Sequence, residues 1–269
     1  MYRAEGIDVV SGLNPSHWIG LRAAPFTWFL RDGRSCTTGL GIALQEMLFF
    51  ECLFDSYKPA RLFIIGNSFG WSTVALSLFN PQSQVVAMDA GMDCNSTEGL
   101  QVTNKIARKA GLNVEAVQGV SPQDVGTVLA KHFSAPPDFF FIDGMHTNEQ
   151  IVLDFRAVRE KAPPGAVFLF HDVHEFDLNR GLAQVVAESG LTVRKLMATP
   201  SGMALVYPPS AAASLAPALT VFAPSDELLR IIEAEAHRCM PSRVRWYRSA
   251  ARMRNNLRQL VGKQPVRYE

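Results

Sequence analysis

One stretch limits what this chain can fold into more than any other. It runs from Asp138 to His174 and reads DFFFIDGMHTNEQIVLDFRAVREKAPPGAVFLFHDVH. Phe139–Ile142 and Ala166–Phe170 are apolar runs short enough for buried strands. Each ends on ionisable residues: Asp143 after the first, His171 and Asp172 after the second. Between them Thr147 followed by Gln150 has the spacing of a capping box. Ile151, Val152, Phe155 and Val158 continue at helical spacing until Pro163, Pro164 and Gly165 stop the helix. Continuous apolar strands joined by a helix predict parallel neighbours covered on both faces, with a right-handed crossover. Both strands then end at one edge of the sheet. Asp143, His146, His171 and Asp172 are expected to converge there, where open α/β folds bind their ligands.

The chain has 269 residues, 48% hydrophobic and 19% charged, which suits one large α/β domain with an appendage. Its longest apolar stretch, Leu40–Phe54, is broken by Gln45, Glu46 and Glu51, so it reads as a buried helix and not as a membrane span. The first residues, MYRAEGIDVVSGLNP, lack the basic-then-apolar pattern of a secretory signal. Cys36, Cys52, Cys94 and Cys239 show no metal-ligand spacing, and a reducing, cytoplasmic setting is the expectation. Charge is unevenly placed. Residues 238–269 hold nine Lys or Arg against one acid, leaving 17 against 24 in the body.

Taken in order, residues 1–38 show no sustained period and are expected to form an irregular lead-in that covers the site. Residues 39–207 are expected to be the main domain. A helix over Gly39–Tyr57 precedes strands at Arg61–Ile65, Gln84–Met88 and Val114–Gln118, with a helix after each. The third of these helices is expected to start at Ser121, with Pro122 in its first turn. The central unit follows, then a helix over Leu178–Glu188 and a closing hairpin of Leu191–Met197 and Met203–Tyr207. The count predicts a doubly wound, seven-stranded, mostly parallel sheet. Residues 208–224 are rich in Pro and Ala and read as a linker. Residues 225–269 read as a basic helical extension, with Ser225 capping a helix that carries Leu228, Leu229, Ile231 and Ile232, and a second helix over Ser242–Val261.

The first strand opens into Gly66-Asn67-Ser68-Phe69-Gly70-Trp71-Ser72. Ser68 and Trp71 stand where a dinucleotide turn needs its second and third glycines, and no phosphate-loop lysine follows. A ligand without phosphates fits better. Asp89, ending the second strand, is placed to take ribose hydroxyls, and S-adenosylmethionine carries such a ribose.

FIIGNSFGWST, VVAMDAG, DFFFIDGMH and GAVFLFHDVH, in this order, resemble the motifs of class I S-adenosylmethionine-dependent methyltransferases over about Leu40–Tyr207. The DGxH followed by HDV resembles the branch of macrocin-type sugar O-methyltransferases and, more distantly, catechol O-methyltransferase. The resemblance implies a Rossmann-like methyltransferase fold. It implies that Gly66, Asn67, Ser68, Gly70 and Ser72 line the methionine moiety, that Asp89 and Ala90 hold the ribose, and that Gly119, Val120 and Ser121 flank the adenine. Asp143, which also borders the cofactor, His171 and Asp172 match metal-ligand positions, and His146 matches the general base.

Two positions depart from that pattern. Ile64 stands where the family usually has an acid, which removes a cofactor contact, and His171 stands where an Asp is common. Oxygen-only ligation suits Mg²⁺, whereas an imidazole also admits Mn²⁺, Fe²⁺ or Zn²⁺, with Mg²⁺ or Mn²⁺ the expectation. Methyl transfer to oxygen needs an ionised acceptor held in line with the methyl carbon, and a cation with a nearby base meets that need. The expected activity is thus metal-dependent O-methylation of a small hydroxylated substrate. Two other readings stay open: a binding protein with weak or lost turnover, motivated by Ile64, and an RNA methyltransferase using the basic tail. For the tail, assembly into a homo-oligomer is favoured over nucleic acid, since only Trp246 and Tyr247 interleave aromatics among its arginines.

Overall fold

A computed structural model describes residues 1–12, 25–93 and 95–239. The second tail helix and its arginines therefore lie outside the described residues, as do His17 and Cys94. The chain divides into two compact units, 1–224 and 225–269.

The first unit opens with a 3₁₀ turn at Tyr2–Glu5 and a small antiparallel sheet of β1 (Asp8–Ser11), β2 (Thr27–Arg31) and β3 (Arg34–Ser35). These strands were expected to be irregular, because four, five and two residues are too few to display a period. The main domain runs α1 (Leu44–Ser56), β4 (Arg61–Ile65), α2 (Trp71–Phe79), β5 (Gln84–Asp89), α3 (Ser96–Ala110), β6 (Val114–Gln118), α4 (Val125–His132), β7 (Phe139–Ile142), α5 (Asn148–Arg159), β8 (Val167–Phe170), α6 (Asn179–Ser189), β9 (Thr192–Leu196) and β10 (Met203–Tyr207). The seven-stranded sheet has the order β6-β5-β4-β7-β8-β10-β9. All its pairs are parallel except those of β10, which inserts antiparallel between β8 and β9. The chain leaves β4 to build one half of the sheet and returns beside it at β7, so the ends of β4 and β7 border the point where the winding reverses.

Period-two alternation puts β7 in the core on both faces. Phe140 and Ile142 join a cluster with Val125, Phe155 and Leu182 of α4, α5 and α6. Phe139 and Phe141 join another with Phe50 and Phe54 of α1. Thr147 caps α5 by accepting from the Gln150 N–H at 3.1 Å, as its spacing predicts. The Gln150 side chain does not reach back to close the box. It donates instead to Asp154 Oδ1 at 2.7 Å and to the Ser121 carbonyl at 3.1 Å.

Two expectations need correction. Ser121 does not cap α4, which begins four residues later. Its hydroxyl turns to Asp154, and the intervening turn is closed by the Asp124 carboxylate accepting from Val120 N at 2.7 Å. Residues 208–224 are not a linker either. They form a 3₁₀ turn, Pro209–Ala211, and α7 (Ala212–Phe222), whose Leu215, Ala218 and Phe222 are buried in the α1 cluster. Alanine is the best helix former, and these three side chains recur at the spacing of one helix face. In the second unit, α8 (Asp226–Cys239) starts with Ser225 Oγ accepting from Leu228 N at 3.2 Å.

Candidate active site

The glycine turn is tied to both of its neighbours. Gly66 has φ +99°, and a Cβ there would lie 2.1 Å from the Asp143 carbonyl oxygen, so the turn passes against the end of β7 only because a side chain is missing. Asp89 organises the turn from the other side. Its Oδ2 accepts from Asn67 N and Ser68 N, and its Oδ1 from Gly91 N, each at 2.8 Å. Asp89 therefore shapes the turn as well as standing where the ribose is expected, and only its remaining lone pairs can serve a ligand.

Asn67 is brought to the turn, but its side chain faces inward. Its Nδ2 donates to Thr103 Oγ1 at 3.0 Å and its Oδ1 accepts from Thr73, so only its backbone is offered to a ligand. Ser72 follows in the first turn of α2, and Ala90 follows Asp89. Gly119 N donates to the Asp89 carbonyl at 3.0 Å, which brings the Gly119–Ser121 stretch beside the end of β5. Val120 is exposed there, and the Ser121 hydroxyl is committed to Asp154 at 2.5 Å.

Asp143, His146, His171 and Asp172 converge as expected, each with one potential ligand atom within 4.8 Å of the others. His171 Nδ1 lies 3.0 Å from Asp143 Oδ1 and 3.2 Å from Asp172 Oδ1. His146 bridges the same acids, with Nε2 3.3 Å from Asp143 Oδ1 and Nδ1 3.2 Å from Asp172 Oδ2. Phe176 lies over the His146 ring, with centroids 4.8 Å apart. Asp172 has φ +58°, a left-handed conformation that turns the chain sharply where the cluster needs it.

Burial alone would push the His171 imidazole down, but the surrounding Asp143, Asp172 and Glu46 hold it well above its ordinary value. Burial likewise pushes Asp143 up, and His171 and His146 outweigh it, holding the carboxyl well below the usual range.

Sequence reasoning missed two members of this neighbourhood. Glu46 on α1 is fully buried, with Oε2 3.2 Å from His171 Nε2. Ser201, in the turn between β9 and β10, is also fully buried and lies 3.2 Å from the same nitrogen through Oγ. The available signal was an acid within the apolar run Leu40–Phe54, which read only as an interruption of a membrane span.

Residues 63–173 match a family model described as a methyltransferase domain. Among solved structures, the chain is similar to a Staphylococcus aureus protein provisionally named a caffeoyl-CoA O-methyltransferase, at TM-score 0.51 and 11% identity, covering 61% of this chain and 82% of that one. It is also similar to an O-methyltransferase from Bacillus cereus in complex with SAH, at TM-score 0.49 and 17% identity over 62% and 82% of the two chains. The O-methyltransferase TomG from Streptomyces achromogenes, in complex with SAM, follows at TM-score 0.48 and 19% identity over 61% and 79%. No curated protein matches. Residues 63–173 thus match a methyltransferase-domain model, and the seven-stranded sheet they help to build shares its fold with the Staphylococcus aureus protein.

Proposed function

We propose that this protein transfers the methyl group of S-adenosylmethionine to a hydroxyl oxygen of a small molecule, assisted by a divalent cation at Asp143, His171 and Asp172. The observation that carries this reading is the convergence of two carboxylates and two imidazoles beside the glycine turn. The donor set fits a cation. His171 Nδ1 is buried with Asp143 and Asp172 oxygens at 3.0 and 3.2 Å but makes no well-aligned hydrogen bond to either, so once deprotonated it turns a nitrogen donor to the same place as their oxygens.

The bound donor supplies an activated methyl group, and the bound cation supplies charge that stabilises an ionised acceptor oxygen. The chain's own residues do the rest. Backbone from Gly66 to Gly70, with Ser72, receives the methionine end; Asp89 and Ala90 receive the ribose; Gly119, Val120 and the Ser121 backbone flank the adenine. Asp143, His171 and Asp172 would hold the cation, His171 through Nδ1 once its proton had passed to solvent. His146, held between Asp143 and Asp172 and steadied by Phe176, accepts the acceptor's proton once one ring nitrogen turns from its carboxylate.

A second reading has its own observation. Ile64, where an acid is usual, is fully buried with Phe50 and Phe141, so nothing polar replaces the missing contact and a weakly active binding protein would result. Measuring release of the demethylated donor, with hydroxylated acceptors and added Mn²⁺ or Mg²⁺, separates the two. Asp143→Ala and Asp172→Ala should each cut turnover by about 10²-fold or more while donor binding, measured by calorimetry, stays near wild type. Full activity of Asp143→Ala in excess chelator would overturn the cation's role, and donor binding without turnover in any condition would favour the second reading.

A further inference from the structure

Behind the cluster, on the side away from its acids, a buried chain of hydrogen bonds ends on a carboxylate. Glu46 Oε1 accepts from Ser201 N at 3.2 Å and from the Ser201 hydroxyl, and its Oε2 accepts from Ala43 N at 2.9 Å. Ser201 Oγ in turn lies 3.2 Å from His171 Nε2. A carboxylate offers only acceptors, so the single hydroxyl hydrogen of Ser201 goes to Glu46. The Ser201 oxygen is left as an acceptor toward His171. Nε2 must therefore carry a hydrogen, and Nδ1 is the nitrogen left to face Asp143 and Asp172. Glu46 Oε2, 3.2 Å from Nε2, reinforces the same polarity.

We propose that Glu46 and Ser201 are positioning residues that fix the His171 ring with its Nδ1 lone pair toward the cation, so that the site presents one nitrogen donor among oxygen donors. This rests on the cation reading above. The arrangement has the logic of carboxylate–histidine–metal triads, in which the partner of the second nitrogen sets which nitrogen is free to ligate. Nitrogen donors favour Mn²⁺ over Mg²⁺, so the consequence is selectivity as well as affinity.

Glu46→Gln is the informative variant, because its amide keeps the volume but can donate to Ser201 Oγ. The hydroxyl is then free to donate to Nε2, which moves the ring hydrogen to Nδ1. Mn²⁺ binding to the full-length protein, without donor or acceptor, is read by electron paramagnetic resonance, and Mg²⁺ binding by competition. Mn²⁺ affinity should fall by about 10- to 100-fold and Mg²⁺ affinity by much less, with S-adenosylmethionine binding near wild type. Ser201→Ala removes the hydroxyl but leaves Glu46 Oε2 3.2 Å from Nε2, so it should show a smaller loss of the same selective kind, and Glu46→Ala with Ser201→Ala should show the full one, which decides the matter if the Gln variant does not fold. Wild-type selectivity in a folded variant, or equal losses for the two cations, would overturn the positioning role while leaving the cation reading standing. Wild type that binds S-adenosylmethionine but no Mn²⁺ would overturn both.

Discussion

Asp154 is a buried acid in the middle of α5, and burial pushes its carboxyl up to about 6, even though hydrogen bonds from Ser121 and Gln150 and the charge of His146 pull the other way. An unfolded Asp loses its proton near pH ~4. Between about pH 4 and 6 the folded chain therefore binds more protons than the unfolded one, and stability falls as pH rises through that window. Above it the deficit levels off at roughly 2–3 kcal/mol. Asp154→Asn keeps an oxygen for both hydrogen bonds and removes the charge. It should flatten the window and gain about 1–3 kcal/mol at pH 8 in urea unfolding. A variant as steep as wild type between pH 4 and 6 would assign the slope to another group. Asp89 shows the opposite case, a carboxylate whose three backbone donors are an asset. Its removal would disturb the turn itself, because buried N–H groups left unsatisfied cost about 1–3 kcal/mol. A loss of donor affinity in Asp89→Ala therefore reports on turn geometry as much as on ribose contact.

At the scale of elements, α7 tests how composition should be read. Phe222 is 4% exposed and meets Phe49 edge-on with centroids 5.3 Å apart. Phe222→Ala should destabilise the protein by about 3–5 kcal/mol, the cost of emptying a packed aromatic site. In a linker the same change would do almost nothing, so a melting curve distinguishes the two. The sheet was legible because parallel strands buried on both faces leave continuous apolar runs, such as Phe139–Ile142, that end on the residues they position. The cluster was legible for the same reason: Asp143, His171 and Asp172 directly follow their strands. The helix of residues 212–222 was obscured by Pro217 inside it and by prolines on either side. Glu46 and Ser201 were hidden for a deeper reason. They are 155 residues apart and meet only after α1 and the β9–β10 turn have packed, and no local spacing encodes such a pair.

For the whole molecule, the question is what residues 225–269 contribute. They hold ten Lys or Arg against five acids, leaving 16 against 20 in residues 1–224. All three apolar clusters of the described residues lie within the first unit. A chain ending at Pro224 should therefore keep its core and melt within a few degrees of the full protein. The missing segment carries two features that suit self-association: a positive balance opposite to that of the first unit, and the apolar Leu228, Leu229, Ile231 and Ile232 of α8. If copies assemble through this segment, light scattering should show the full chain at a multiple of its mass and the shortened chain at its own. Charge attraction is screened beyond about 10 Å at 0.1 M salt, so added salt should weaken whatever part of the assembly charge supplies and spare the apolar part. A shortened chain that keeps the full protein's oligomeric state would remove the segment from assembly. A shortened chain that fails to fold would show that residues 225–269 complete the core and do not merely extend it.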